Sequence, residues 1–332
     1  MQEIIITGAT GFIGRRLIKE VLLHYPLEKI LCLIKDDVGE SDELEISGRK
    51  VLKDLNVITK EIDLPSGRGL DHLPREAKII IHLGASTESG DADHSCNDIG
   101  TKNLLNALSP LSKDAIFVFT STAAVYSGRK DLDKPIDVNT KTVPSNEYGR
   151  SKIRAEEILR DFSLKYGFKV TVLRLGTVWG EGTRKDGLFD AMKKLISRKS
   201  IIPRLNWPGR TSLIHVNNVA QIITYFVRNK SETPFQTFVL SHEGLTLAEI
   251  SIILHRQLNM KYNVTKLPGV FWNALNSVIQ KSYFLERMLP GKFYNTFWRL
   301  NLIINDSLYC RPDEIKEKIP EINIGMINFE GK

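Results

Sequence analysis

Cysteine is scarce: three in 332 residues, Cys32, Cys96 and Cys310, far apart and with no CxxC pair or metal-ligand spacing among them. That pattern excludes a disulfide scaffold and a structural metal centre, and it reads as reduced thiols in a cytoplasmic protein. Long apolar runs are lacking as well. No segment reaches the roughly 18 to 20 uninterrupted apolar residues that cross a bilayer, and the first residues read as a strand, so neither a membrane span nor a signal peptide is expected. Internal repeats and low-complexity linkers are missing. The charge excess is small: 46 Lys and Arg against 39 Asp and Glu leave +7, which suits anionic ligands better than a nucleic-acid coat.

What is present is a rhythm. Short apolar runs at Ile4–Thr7, Ile30–Ile34, Val57–Ile62, Ile79–Leu83 and Ile116–Thr120 alternate with helix-length stretches, notably from about Phe12 and at Ile99–Leu108. Short buried strands separated by helices predict a parallel sheet with helices on both faces. A long polar stretch to Glu147 precedes a helix at about Tyr148–Tyr166 and a strand at Val170–Leu175. Beyond Trp179 the rhythm loosens, although Thr246 and Glu249 have the spacing of a capping box.

Directly behind the first strand come Gly8, Gly11 and Gly14, spaced three apart and opening a helix. Glycines placed so allow a tight turn, close approach of backbone to a pyrophosphate, and close packing of helix on strand, while the helix amino terminus offers N–H groups to the phosphates. The reading is a dinucleotide site. Residues 1–180 are expected to form a Rossmann-type doubly wound domain with 211–230 returning to it, and 181–332 mainly a smaller C-terminal α/β substrate lobe.

"TGATGFIG" resembles the extended short-chain dehydrogenase/reductase superfamily, in its NAD-dependent epimerase/dehydratase group, and further matches follow in order across about residues 3 to 225. "DL" at Asp63 and Leu64, "IIIHLGAS" at 79–86, "NDIGTKNLLNA" from Asn97, "TSTAAVY", "EYGRSK", "LRLGTVWG" and "SLIHVNNVA" are each similar to a landmark of that family. The resemblance implies cofactor contacts from Gly8, Thr10, Gly11, Phe12, Ile13, Gly14, Asp63, Leu64, Leu83, Gly84, Ala85 and Asn97. It implies a homodimer built on the helices after Asn97 and Tyr148.

The spacing Tyr-x-x-x-Lys occurs four times, at Tyr25/Lys29, Tyr126/Lys130, Tyr148/Lys152 and Tyr262/Lys266. Pro26, Gly128 and the strand-like "YNVTKL" argue against three of them, and only Tyr148 and Lys152 open a convincing helix, one turn apart on one face. A tyrosine with an ordinary pKa near 10 is a poor base at neutral pH unless positive charge stabilises its phenolate, and Lys152 would supply that charge. Tyr148 would exchange a proton with a substrate hydroxyl while hydride passes between the carbinol carbon and a nicotinamide. By resemblance Thr122 positions the substrate oxygen, with Ser121 as the neighbouring option.

Lys35 stands at the expected end of the second strand, where relatives that prefer NADP carry a basic residue, and "CLIK" is similar to the "CLVR" of NADP-dependent acyl reductases; Asp36 and Asp37 would instead favour NAD. Either cofactor is expected, with Lys35 tipping the reading toward NADP. Ala123 and Ala124 stand where dehydratases carry acids, which disfavours dehydration. Thr177 or its neighbours replace the Asn that nucleotide-sugar enzymes carry after the sixth strand. The acid-free stretch Lys193–Arg210 holds six cations, read either as a diphosphate site, Arg210 foremost, or as a basic helix face. Ser86, Thr122, Thr177 and Arg210 are the expected substrate contacts.

The segment from Lys266 to Leu302 mixes Phe271, Trp272, Phe284, Phe293, Phe297 and Trp298 with Lys281, Arg287, Lys292 and Arg299. It fits a core cover, a dimer interface or a weak membrane-surface contact. Three functional readings stand: a nucleotide-sugar epimerase or reductase, an NADPH-dependent reductase of an apolar ketone or aldehyde, and a dinucleotide-binding protein without turnover.

Overall fold

The structure, a computed structural model, describes residues 2–37, 39, 42–87, 92–129, 131, 134–183, 187–241, 244–282, 304–305, 308–311 and 313–322. Seven strands, β1 (Ile4–Thr7), β2 (Ile30–Lys35), β3 (Ile58–Ile62), β4 (Ile79–His82), β5 (Ile116–Thr122), β6 (Lys169–Leu175) and β10 (Phe235–Leu240), form one sheet. Their spatial order is β10-β6-β5-β4-β1-β2-β3, and every pair is parallel. The strand order reverses between β1 and β4, the switch point beside which such sheets leave a crevice at their carboxyl ends.

Period-two burial explains the two layers. Ile4, Ile6, Cys32, Ile34 and Val118 face one core, and Ile5, Leu31, Leu33, Phe117 and Phe119 the other. The first core is covered by α1 (Gly14–Val21) and α6 (Val216–Arg228), the second by α3 (Ile99–Leu108) and α4 (Glu147–Tyr166). Because both faces are covered there, β1, β2 and β4 read as nearly unbroken apolar runs, whereas the edge strand β3, sequence ITKEI, is largely exposed.

The returning part of the chain is longer than 211–230. Strand β10 closes the sheet beside β6, and Ile315 and Ile319, in and just after helix α9 (Asp313–Lys318), pack into the first core. The remainder makes a smaller lobe. Helices α5 (Leu188–Ser197), α7 (Leu247–Gln257) and α8 (Gly269–Ser282) bury Met192, Ile196, Leu247, Ile250, Trp272 and Ile279 together. Two short ladders join lobe and sheet: β7 (Thr177–Trp179) with β9 (Leu213–His215), and β8 (Arg210–Thr211) with β11 (Leu245–Thr246). The capping box at the start of α7 forms, Thr246 accepting from the Glu249 amide while the Glu249 carboxylate accepts from Thr246. No helix among the described residues is long and apolar enough to cross a membrane.

Candidate active site

The turn from β1 into α1 assigns each glycine a different task. Gly8 has φ 68°, in the left-handed region, and a Cβ there would stand 2.8 Å from the Gly84 amide nitrogen. At Gly14 a Cβ would fall 2.2 Å from the Gly8 carbonyl oxygen, so this glycine lets helix and strand touch. Gly11 faces outward, and a Cβ on it would meet only the Gly8 oxygen, at 3.3 Å. No side chain caps the amino-terminal turn of α1. An open backbone before an uncapped helix start fits a pyrophosphate, and the residues present therefore suit a dinucleotide.

Helix α2 (Glu43–Asp54) forms a collar beside this turn. Gly48 lies so close that a Cβ would come 2.0 Å from the Thr10 carbonyl oxygen, and the Thr10 hydroxyl donates to Glu45 at 2.5 Å. The Thr10 side chain is thus committed to α2. Arg49, one turn on, bonds Glu45, Glu61 and the Lys35 carbonyl. Lys35 itself is exposed at the end of β2, while the Asp36 carboxylate is drawn to Arg68 at 2.6 Å. Asp63 accepts from the Ser66 amide at 3.2 Å and shapes the turn after β3, and Leu64 is buried under Gly100.

At the end of β4 a buried chain of hydrogen bonds positions the backbone of residues 83–86. Thr101 donates to the Asn97 carbonyl at 2.5 Å and therefore accepts from His82 Nε2, at 2.9 Å. That leaves His82 Nδ1 as the acceptor for the Thr7 hydroxyl, at 2.6 Å, and Thr7 in turn accepts from the Gly84 amide at 2.9 Å. Burial, with the nearby Lys152 charge adding to it, pulls His82 down to about 3, so its imidazole is neutral. Asn97 is fully buried; its amide accepts from the Ser86 N–H and donates to the Ser86 carbonyl and to Ser151. It holds the wall of the crevice rather than projecting into it.

Tyr148 and Lys152 occupy the first turns of α4, whose start is capped by Asn146 accepting from the Gly149 amide at 2.8 Å. Gly149 brings the helix against the end of β5: a Cβ there would stand 2.8 Å from the Ala124 carbonyl oxygen. The Thr122 side chain accepts from the Ala124 amide at 3.1 Å and faces Tyr148 across this junction. Burial raises the Tyr148 pKa, and the Thr122 contact opposes that rise. Lys152 is buried, donates to the Thr120 carbonyl at 2.9 Å and sits 4.6 Å from the centre of the Phe119 ring. Burial draws its ammonium down to about 8, against the pull of Cys96 and Glu156. The sequence-predicted Thr122, Tyr148 and Lys152 are therefore brought together at one strand end.

Behind them lies a polar layer that spacing alone did not disclose. Ser121 donates to Glu156 at 2.5 Å, and the Glu156 carboxylate takes two bonds from Arg174, at 3.1 and 2.6 Å. Arg174 also donates to the Tyr126 hydroxyl at 2.6 Å. Burial works against the Arg174 charge, yet Glu156 outweighs it and holds the guanidinium above its ordinary value. Ser121 thus serves the second layer, and Thr122 faces Tyr148. His94, whose ring centre lies 5.7 Å from that of Tyr148, is a further neighbour not singled out from the sequence.

Thr177 stands two residues beyond the end of β6, opposite Leu213, exposed and with its amide donating to the Ser212 carbonyl. Arg210 is exposed on β8, its guanidinium 5.7 Å from the centre of the Tyr309 ring. Both lie on the short ladders outside the seven-stranded sheet, Thr177 on β7 and Arg210 on β8. Phe284, Arg287, Lys292, Phe293, Phe297, Trp298 and Arg299 lie outside the described residues.

Fold and glycine turn together define a class: a Rossmann-type α/β protein built for a dinucleotide. The chain belongs to the NAD dependent epimerase/dehydratase family, whose model matches residues 4–240, and is an enzyme of that type. Over 306 residues it is 23% identical to the N-acetyl-alpha-D-glucosaminyl-diphospho-ditrans,octacis-undecaprenol 4-epimerase of Escherichia coli O157:H7, spanning 89% of this chain and 86% of that protein. A putative UDP-glucose 4-epimerase of Methanocaldococcus jannaschii is 26% identical over 185 residues, 54% of this chain and 56% of that relative, so the match spans only about half of it. Among solved structures, UDP-glucuronic acid 4-epimerase from Bacillus cereus in complex with NAD superposes with a TM-score of 0.67 at 19% identity, covering 80% of this chain and 87% of the other.

Proposed function

We propose that this enzyme moves hydride between a bound nicotinamide and the carbinol carbon of a hexose carried on a diphosphate, and that it inverts that carbon. The observation that carries the reading is the buried Lys152 ammonium, donating to the Thr120 carbonyl at 2.9 Å and standing one helical turn beyond Tyr148, where α4 packs against the strand end that carries Thr122. Tyr148 takes the proton of the substrate hydroxyl and returns it after the carbon has been re-reduced. Thr122 orients the oxygen that gives up the proton. Lys152 supplies the positive charge that makes a phenolate attainable near neutral pH. A bound nicotinamide supplies the hydride acceptor and donor. Gly8, Gly11 and Gly14 would seat its pyrophosphate, and Leu83, Gly84 and Ala85, fixed through Thr7 and Asn97, would form the wall against it.

Ala123 and Ala124 form the turn after Thr122 and offer no acid, so elimination of water is not part of the reaction. Arg210 is the residue we assign to the diphosphate and Thr177 to the sugar. The similarity to epimerases of UDP-sugars and of a polyprenyl-diphosphate sugar supports the diphosphate hexose. NADP is supported over NAD by Lys35, exposed at the end of β2, and by the pairing of Asp36 with Arg68, which turns the nearest acid aside. We assign residues 181–332, apart from the returning segments, to substrate binding. The enzyme is proposed to act in the cytoplasm as a homodimer joined through α3 and α4.

A reductase of an apolar carbonyl compound is the second reading, supported by Thr177 in place of an Asn. The two separate on nucleotide content. Denaturing the purified protein and weighing the released nucleotide, then titrating the emptied protein with NADH and NADPH, is the test. Stoichiometric retained nucleotide fits an inverting enzyme that regenerates its cofactor, whereas an empty protein that binds NADPH fits the reductase. Absence of any binding would remove both.

A further inference from the structure

Two stretches of this chain, residues 191–231 and 250–285, contain no Asp or Glu at all. The fold lays them side by side. Leu205 bridges Thr265, the Thr265 amide donates to the Arg204 carbonyl at 2.8 Å, and Asn206 exchanges two hydrogen bonds with Leu267, at 2.7 and 3.1 Å. The Trp207 indole donates to the Ile202 carbonyl at 2.9 Å and its ring centre lies 4.8 Å from that of Trp272.

On the outside of this junction stands an apolar crown. Ile201, Ile202, Val264, Val270, Phe271 and Val278 are between 43% and 78% exposed. Helix α8 turns Trp272 and Ile279 into the lobe core, while Phe271, Ala274 and Val278, at the spacing of one helical face, lie on its exposed side. Elsewhere the exposed large apolar side chains, such as Leu23, Ile58 and Leu164, are scattered singly on separate elements, which is ordinary for a protein surface. On the same two segments Arg198, Lys199, Lys261 and Lys266 are exposed, within a few residues of Ile201, Ile202, Val264 and Val270, and none enters an ion pair among the described residues.

We propose that this face of the C-terminal lobe docks on an anionic lipid bilayer, the crown entering the headgroup boundary and the four cations meeting the lipid charge. Apolar side chains ringed by unpaired cations match the two attractions that a charged interface offers together. A second copy fits less well, because a two-fold axis through the face would set one basic rim against its equal. A nucleic-acid backbone would satisfy the cations and leave the crown in water. Nothing in this inference depends on the hydride chemistry proposed above: these residues lie in the lobe assigned to substrate binding, but none is among the residues assigned to the nicotinamide, the proton, the sugar or the diphosphate.

Sedimentation of the whole protein with sucrose-loaded vesicles decides it, comparing phosphatidylcholine containing phosphatidylglycerol with phosphatidylcholine alone. Pelleting on the anionic vesicles, and its loss at high salt, is expected. K199E/K266E and I201S/F271S are each expected to weaken vesicle affinity about tenfold or more, while their nucleotide affinity, measured in parallel, reports that they fold. The proposal is overturned if the wild type stays in solution with both vesicles. It is equally overturned if both double variants pellet as well as the wild type, or if the substitutions instead turn a dimer into a monomer with vesicle binding unchanged.

Discussion

The ammonium of Lys152 donates to the carbonyl of Thr120 at 2.9 Å, inside the protein and without a carboxylate within ion-pair distance among the described residues. Burial lowers its pKa from 10.5 to about 8, which means that the folded state holds this charge against its own preference. Lys152→Met should therefore abolish turnover and yet raise stability at neutral pH by about 2 kcal/mol. The sign follows from proton counts: between about 8 and 10.5 the native wild type has lost the proton and the unfolded chain keeps it. Wild-type stability thus climbs through that window, and the advantage of the variant shrinks. Urea unfolding of both proteins at neutral and alkaline pH measures it.

Gly11 and Gly14 separate binding from folding. Gly14→Ala places a Cβ against fixed backbone 2.2 Å away and should destabilise the fold by roughly 1–3 kcal/mol. Gly11→Ala meets only one atom, at 3.3 Å, and should leave the melting temperature nearly unchanged while weakening nucleotide affinity. Thermal unfolding without nucleotide and fluorescence titration with NADH and NADPH give the two readouts.

His82 ties stability to acid. Its native pKa, lowered by burial from 6.5 to about 3, means that the unfolded chain binds the extra proton between those values. Stability should fall as pH drops through that window, by up to about 1.4 kcal/mol per pH unit from this residue. His82→Gln, which does not titrate, should be less stable at pH 7 and should show a flatter decline, so the gap from wild type narrows in acid. Denaturant titrations across the window test it.

Glu156 and Arg174 form a buried pair whose members carry unequal consequences singly and together. Glu156→Gln leaves the Arg174 charge uncompensated and should cost about 3–5 kcal/mol. Combining it with Arg174→Met should recover part of that loss, since the stranded charge is gone, with a coupling of at least about 1 kcal/mol. The unfolding free energies of the two single variants and the double variant close the cycle.

Which parts were readable in advance follows from local physics. The strands announced themselves because both faces of the sheet are covered, and the glycine turn because backbone contact demands Gly there. Of four Tyr-x-x-x-Lys spacings, helix context selected Tyr148 and Lys152; Tyr126 instead lies buried against Arg174. Helix α2 was not foreseen, since Gly48 weakens its helical pattern, and that glycine is needed only because Thr10 lies against it. Strand β10 was not foreseen either, its neighbour β6 being more than sixty residues distant in the chain. Arg174 had a signal of its own: a charge inside the otherwise uncharged run Val170–Leu175. Glu156 stands one helical turn beyond Lys152. Their pairing required the third dimension.

Hydride transfer at a carbon whose hydroxyl Tyr148 deprotonates is tested most directly by supplying the nucleotide-loaded protein with UDP-N-acetylglucosamine in deuterium oxide. Inversion at the sugar carbon with no solvent deuterium on it is expected, slowed about a thousandfold in Tyr148→Phe. Inversion that brings solvent deuterium onto that carbon, or that proceeds at full rate in Tyr148→Phe, would contradict it.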